Sequence, residues 1–493
     1  MYYKWIFSYI YKMKKILLFL FCFPLFVMAQ QTYVPDDNFE QELINQGYDN
    51  VLDDYVTTSN INAIGGLYVS NQNISDLTGI EDFIALVSLE CNDNQLTTLN
   101  LSNNTALSYL ECWGNQLTSL DLTQNLMLDY LYCMDNQLTS IDLTANTALI
   151  VLGLDYNQLT SLDLTNNINL EYLDFYESQL TTIDLSQNTN LVELRCGFNQ
   201  LTNLDLSQNT NLEILICPNN LLTSIDLTQC INLELLVSPE NQLTSLDLTN
   251  NINLKDLHTE DNYLTDIDLS NNPNLINLRI DNNLLYLLDL AYQDIEYINC
   301  SNNQITDLII DSDSLQRLFC GNNPISIFDA TPHHNLEMLE IFNAGLFSID
   351  LSQNQNLWFL SIGSNPDLWS LDLSNNYNLE HLDLYSNSLS VLDMRNGNNQ
   401  NISYFVTWNC WNSQFLECIS VDDSTYSTNN WISIDTWHYF SNNCNPLAIE
   451  EYSSKKELLK ITDLLGREIK GAKNQLLFYI YDDGIVEKKL IIE

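Results

Sequence analysis

Residues 107–127 read LSYLECWGNQLTSLDLTQNLM, and residues 128–148 read LDYLYCMDNQLTSIDLTANTA. The 21-residue step holds from Leu86 through Leu107, Leu128, Leu149, Leu170, Leu191, Leu212, Leu233 and Leu254 to Leu275. Looser units begin at Ile295, Leu315, Leu336, Leu357 and Leu379, with a degenerate one near Ile402 and a divergent first one at Ile64. This period constrains the fold more than any other feature. A unit so short cannot bury its own leucines, so units must stack and share a core.

Each unit has two halves with one grammar, L-x-x-L-x-C-x-x-N-Q and then L-x-x-L-x-L-x-x-N-x-x. Apolar residues two apart, as in Leu110/Cys112 and Leu120/Leu122, predict the inward face of a short strand. The Asn closing each half suits a tight turn and can bond to neighbouring backbone. Stacking would align Asn94, Asn115, Asn136 and Asn157 in one ladder and Asn104, Asn125, Asn146 and Asn167 in another. No segment of the array has helical periodicity. The expectation is an all-β, right-handed solenoid of about 16 coils with two parallel β-sheets, on the order of 75 Å long. The units resemble bacterial leucine-rich repeats of the nested 10-plus-11 kind over residues 64–409. That resemblance implies an extended binding scaffold without intrinsic catalysis.

Cysteine recurs in the sixth slot, at Cys91, Cys112, Cys133, Cys196, Cys217, Cys300 and Cys320. Other units place Leu154, Phe175, Ile280, Ile341, Ile362 and Leu384 there, with Ser238 and Thr259 as polar exceptions. A slot filled mostly by apolar residues of varied size points to packing, and buried free Cys behaves as a small hydrophobe. Bridges down the column are disfavoured, because Cβ vectors on adjacent parallel strands point the same way. Cys230 and Cys410 occupy Asn slots. Cys418 and Cys444 lie beyond the repeats in a Trp-rich stretch, and a disulfide between them is expected to staple a C-terminal cap.

The outward residues differ between the two strands. On the second they hardly vary: Asp121, Asp142, Asp163, Asp184, Asp205, Asp226, Asp247, Asp268 and Asp289 form a column flanked by Ser and Thr. Stacked carboxylates repel. Solvent and hydroxyls such as Ser119 and Thr123 could offset this, or cations could, Ca²⁺ above all. The second option would make a cation-dependent structural protein. On the first strand the outward residues change from coil to coil. They include Tyr109, Glu111, Trp113, Tyr130, Tyr132, Tyr172, Asp174, Tyr176, Phe359 and Tyr385. Such residues give large contact area with few rotors to freeze, so this face is the expected ligand-binding surface. Protein and polysaccharide both remain open as ligands.

The ends of the chain have other duties. Residues 1–29 read as a secretory signal, with Lys12, Lys14 and Lys15 before the apolar run Ile16 to Val27. Residues 30–63 are expected to form an N-terminal helical cap, with Asp36 or Asp37 as N-cap, apolar Phe39, Leu43 and Ile44, and Gly47 as the stop. Residues 410–446 would form the C-terminal cap. Residues 447–493 alternate apolar strands with turns and predict a small β-sandwich. This tail resembles the C-terminal sorting domain of type IX secretion through Asp463, Gly466, Arg467, Glu468, Tyr479, Gly484, Lys488 and Lys489. The resemblance implies Bacteroidetes-type secretion machinery as a partner and a product released or attached at the cell surface.

Charge narrows the partners further. The signal segment holds four of the 17 basic residues and no acids, which leaves 13 against 64, a net −51. Such a chain is repelled by nucleic acid and by anionic lipid. Its five His, at 258, 333, 334, 381 and 438, match no zinc-protease motif, and no nucleophile stands in a recognisable context. No enzyme, cofactor or metal site is therefore expected, and no transmembrane segment in the exported form.

Overall fold

The computed structural model describes residues 29–406 and 416–444, and beyond them the backbone of three strands, Leu458–Thr462, Leu476–Tyr481 and Val486–Leu490. Seventeen short strands, from Gly66–Tyr68 to Tyr404–Val406, pair in parallel as one long sheet. The chain thus makes a parallel β solenoid of about 17 turns rather than 16. Register follows the repeat: Tyr109, Leu110 and Glu111 lie opposite Tyr130, Leu131 and Tyr132. Irregular units keep it. Asn277 meets Tyr297 across a 20-residue step, and Phe359 meets His381 across 22. The extra and missing residues are absorbed in the turns.

The second run of each coil departs from expectation. Among the described residues, strand pairing on that side is confined to three places. Leu287–Leu290 pairs with Asp307–Ile310, a single bridge joins Asn100 to Asp121, and four strands end the stack. Those four are Ser370–Asp372, Val391–Met394, Cys418–Val421 and Tyr439–Ser441. Between those places the second run is shaped by local bonds. Asp121 Oδ1 accepts the Thr123 amide at 3.0 Å and the Thr123 hydroxyl at 2.7 Å, and Asp142, Asp163 and Asp226 repeat the arrangement. Each aspartate thereby closes the turn that follows it.

Leucines of both halves fill the interior, most of them fully buried. The first Asn ladder clamps successive coils. Asn115 Nδ2 donates to Cys91 O of the preceding coil at 3.1 Å and to Cys112 O of its own at 3.0 Å, while Oδ1 accepts Leu96 N at 3.0 Å. Two rungs are missing, at Ser178 and Ala344. In the second ladder Asn125 Nδ2 bonds Leu101 O and Asn104 O. Cys230 and His333 take Asn places there, both buried, and His333 Nδ1 lies 2.8 Å from Ser312 O. That carbonyl can only accept, so Nδ1 carries the hydrogen.

The tight turn falls one residue earlier than the Asn. Positive φ belongs to Asp93, Gly114, Asp135, Tyr156, Glu177 and Phe198, each directly before its ladder position. The Asn supplies hydrogen bonds, and its predecessor absorbs the left-handed geometry, costly for rings such as Tyr156 and Phe198.

At the N-terminal end, helix Asp37–Asn45 is capped by Asp36, whose Oδ1 accepts Asn38 N and Phe39 N and whose Oδ2 accepts Ser75 N at 2.8 Å. One aspartate thus caps the helix and ties it to the first coil. Phe39 and Leu43 are buried, and so is Glu40, which accepts the amides of Asp53, Asp54 and Tyr55. At the other end Phe405, Trp431 and Phe440 close the core, and a disulfide joins Cys418 to Cys444. The three last strands form an antiparallel sheet with Leu476–Tyr481 in the centre. Lys488 and Lys489 lie in its last strand. Residues 1–28, Cys410, Asp463, Gly466, Arg467 and Gly484 fall outside the described residues.

Candidate functional site

The long sheet turns its leucines inward and leaves alternate residues on an open face. All ten residues singled out above for ligand contact lie on it. They form three patches instead of one pocket.

In the first patch, the Tyr109 hydroxyl donates to Glu111, and Trp113 Nε1 donates to the other oxygen of the same carboxylate at 3.4 Å. The Tyr109 ring lies 5.9 Å from that of Tyr130 and 6.3 Å from that of Tyr132. Partial burial, then the bond to Glu111, push the Tyr109 phenol well above its ordinary range, so it remains a donor. Glu111 fixes both rings, which lowers the entropy lost on contact.

The second patch follows after a row containing Gly153. Tyr172 Oη donates to Asp174 Oδ2 at 3.2 Å, and Asp174 Oδ1 accepts Tyr176 N at 2.9 Å. Arg195 pairs with Glu193 at 2.6 Å and lies 6.0 Å above the Tyr172 ring. Burial, then Asp174 alongside, raise the carboxyl of Asp155 from 3.8 to about 6. The alternation of a strand did not place Tyr156 and Phe198 here. Their left-handed backbone brings both rings to Tyr176, at 6.2 and 5.0 Å, with 49% and 42% of their surface exposed. The signal for them was an aromatic residue in a slot other coils fill with Asp, Asn or Glu.

The third patch begins nine strands on from Tyr172, about 43 Å further along the sheet at ~4.8 Å per strand. Phe359, His381 and Tyr404 stack in one column at 4.3 and 4.1 Å. Burial lowers the His381 imidazole, with Asp383 opposing. Tyr385 covers backbone instead of projecting freely, since a Cβ added at Gly363 would lie 2.4 Å from its ring. The three patches are thus separate surfaces on one face.

The opposite side carries the Asp column. Hydrogen bonds to Thr123 hold Asp121 below the ordinary carboxylate range, outweighing repulsion from Asp142, and Asp163 and Asp226 behave likewise. Each Oδ1 accepts the amide two residues on, and at Asp121, Asp142, Asp163 and Asp226 a Thr hydroxyl as well. Among the described residues no cluster of three or more His, Cys, Asp and Glu could hold a metal ion. From coil 275 onward this side changes character. Exposed Tyr286, Leu287, Ile309, Ile327, Phe347 and Trp369 interrupt the Asp, Ser and Thr columns.

The sixth-slot cysteines are fully buried free thiols. Burial pushes Cys112 and Cys300 up to about 12, so neither is a nucleophile at neutral pH. Among the described residues no helix is long and apolar enough to cross a membrane.

No family model matches the chain. Over 73 residues it is 36% identical to internalin J of Listeria monocytogenes, a match spanning 15% of this chain and 8% of that protein. The solved functional domain of the Listeria protein, described as including a cysteine ladder, superposes with a TM-score of 0.65 at 26% identity, covering 94% of this chain and 99% of that one. A leucine-rich-repeat protein of Leptospira interrogans follows at 0.59 and 24%, covering 67% and 92%. YopM of Yersinia pestis, a leucine-rich effector, gives 0.52 and 26%, covering 61% and 83%.

Proposed function

We propose that this leucine-rich-repeat chain, internalin-like in its solenoid, is an exported binding or adhesion protein whose open sheet face takes a protein ligand. One observation carries the reading: a repetitive frame presents a face whose residues vary from coil to coil and are rich in fixed aromatic rings. Fixed rings are what contact surfaces use for affinity. The likeness to internalin J and to a leucine-rich effector of Yersinia pestis supports this reading. Export would use the signal at residues 1–29, and passage to the surface the type IX resemblance of the tail. The product is then secreted or held at the outer membrane. The cation-dependent alternative is the weaker one, because one oxygen of each carboxylate in the Asp column already accepts an amide of its own coil.

The test is cell- or protein-surface binding by the chain and by a variant with Tyr109, Trp113, Tyr130 and Tyr172 all changed to Ala. Loss of binding with an unchanged melting curve is expected. Undiminished binding would overturn the aromatic-face reading.

A further inference from the structure

Among the described residues the solenoid and its caps contain five cations: Arg195, Lys255, Arg279, Arg317 and Arg395. Three are neutralised nearby, by Glu193, Glu234 and Asp393. Arg279 and Arg317 make no ion pair. Both lie exposed on the open face, on strands Asn277–Arg279 and Arg317–Phe319, two strands apart. Between them runs Tyr297–Asn299, with Tyr297 opposite Arg317 and Asn299 opposite both Arg279 and Phe319. The Arg279 guanidinium sits 5.3 Å above the Tyr297 ring, and that ring lies 5.7 Å from Phe319. Burial raises the Tyr297 phenol, and both arginines oppose the rise. Two arginines without an ion pair therefore bracket one aromatic pair, their backbone positions about 12 Å apart along the diagonal at ~4.8 Å per strand and ~3.3 Å per residue.

An unpaired arginine is unusual on a chain with 64 acids and 17 basic residues. Glu260 and Asp281 lie near enough to Arg279 to feel its charge, yet no acid among the described residues comes within ion-pairing distance of either arginine. We propose that Arg279, Tyr297, Arg317 and Phe319 form a subsite that reads a single Asp or Glu side chain of a protein ligand, flanked by an apolar residue. The inference rests on the protein-binding reading of this face and names what that face recognises. Guanidinium groups hold a carboxylate through two parallel N–H···O bonds, and a ring beneath the guanidinium orients it. Met338 lies opposite Arg317 in the next strand, and the Phe342 ring folds over Gly321. They extend the aromatic floor on one side and suit an apolar neighbour.

The surroundings exclude a polyanion. Asp256, Glu260 and Asp281 flank Arg279 on one side, and Glu340 stands opposite Phe319 on the other. A polyuronate laid along the sheet would press its next charges against these carboxylates. One isolated acid among neutral or basic neighbours would not.

A random dodecapeptide phage library panned on the full chain tests this. The wild-type pool should converge on peptides with one Asp or Glu beside an aromatic or aliphatic residue. R279Q/R317Q should weaken the selected peptides about tenfold to a hundredfold, as loss of charge-assisted bonds requires. R279K/R317K, which keeps the charge, should retain more of the binding, and polygalacturonate should not compete. Convergence on acid-free peptides, a double Gln variant within twofold of wild type, or competition by polygalacturonate would overturn the subsite alone. A wild-type chain that enriches nothing would overturn the protein-binding reading itself.

Discussion

Replacing Asp155 by Asn should make the chain more stable at neutral pH. The carboxyl is half-buried, its neighbour Asp174 adds a second negative charge, and the hydrogen bond that favours its ionised form comes from its own backbone amide. Its value rises from 3.8 to about 6 in the folded chain. At 1.36 kcal/mol per tenfold change in acidity this is worth ~3 kcal/mol at full burial. Water reaching a half-buried carboxyl reduces that to ~1–2 kcal/mol. The sign follows from linkage. A carboxyl whose value is raised by folding holds its proton more firmly in the native state. Stability is therefore greatest with the proton bound and is lost as pH rises from 3.8 through about 6. At pH 7.5 the wild-type chain carries the full penalty and D155N carries none. By pH 5 the advantage should shrink to about half. Guanidinium melts of both chains at the two pH values measure this. An Asn variant no more stable at pH 7.5, or an advantage indifferent to pH, would refute the reasoning. D174N is the internal control. Its carboxylate accepts Tyr176 N and Tyr172 Oη, so it should lose stability or gain much less.

Other consequences follow from the ladders and columns. Asn136 accepts Leu117 N at 2.9 Å and donates to Cys112 O, Cys133 O and Met134 O. N136A should cost ~3 kcal/mol in a denaturant melt, because buried backbone groups lose their partners. Thr259 is fully buried in the sixth slot with no partner for its hydroxyl. T259V keeps the shape and should raise stability by ~1 kcal/mol, read as a higher melting midpoint. The eight buried thiols among the described residues should resist a colourimetric disulfide reagent in the native chain and react together once guanidinium unfolds it.

The repeat made the long sheet legible because burial has the same period as the sequence. Leu110 and Cys112 must point inward, so Tyr109 and Glu111 must point outward. The grouping into patches was not legible, because it depends on side-chain bonds such as Tyr109 to Glu111, which no periodicity encodes. The second sheet was misjudged for a related reason. Apolar alternation at Leu120 and Leu122 gives the inward face, but the hydrogen-bond ladder is a separate matter. Asp121 accepts the Thr123 amide, which closes the turn that follows. The Asp column therefore has a local cause: each carboxylate closes its own turn. That bond does not by itself prevent pairing. Asp372 lies opposite Asp393 in paired strands, and each accepts an amide two residues on. Asp289 likewise accepts Ala291 N at 3.1 Å and is paired, opposite Ile309. This comparison within one chain makes I309D a direct test. Placing an aspartate there should leave the pairing of Leu287–Leu290 with Asp307–Ile310 intact, read as unchanged amide hydrogen exchange. Faster exchange would mean that side-chain capture of the amide does decide where the second sheet forms.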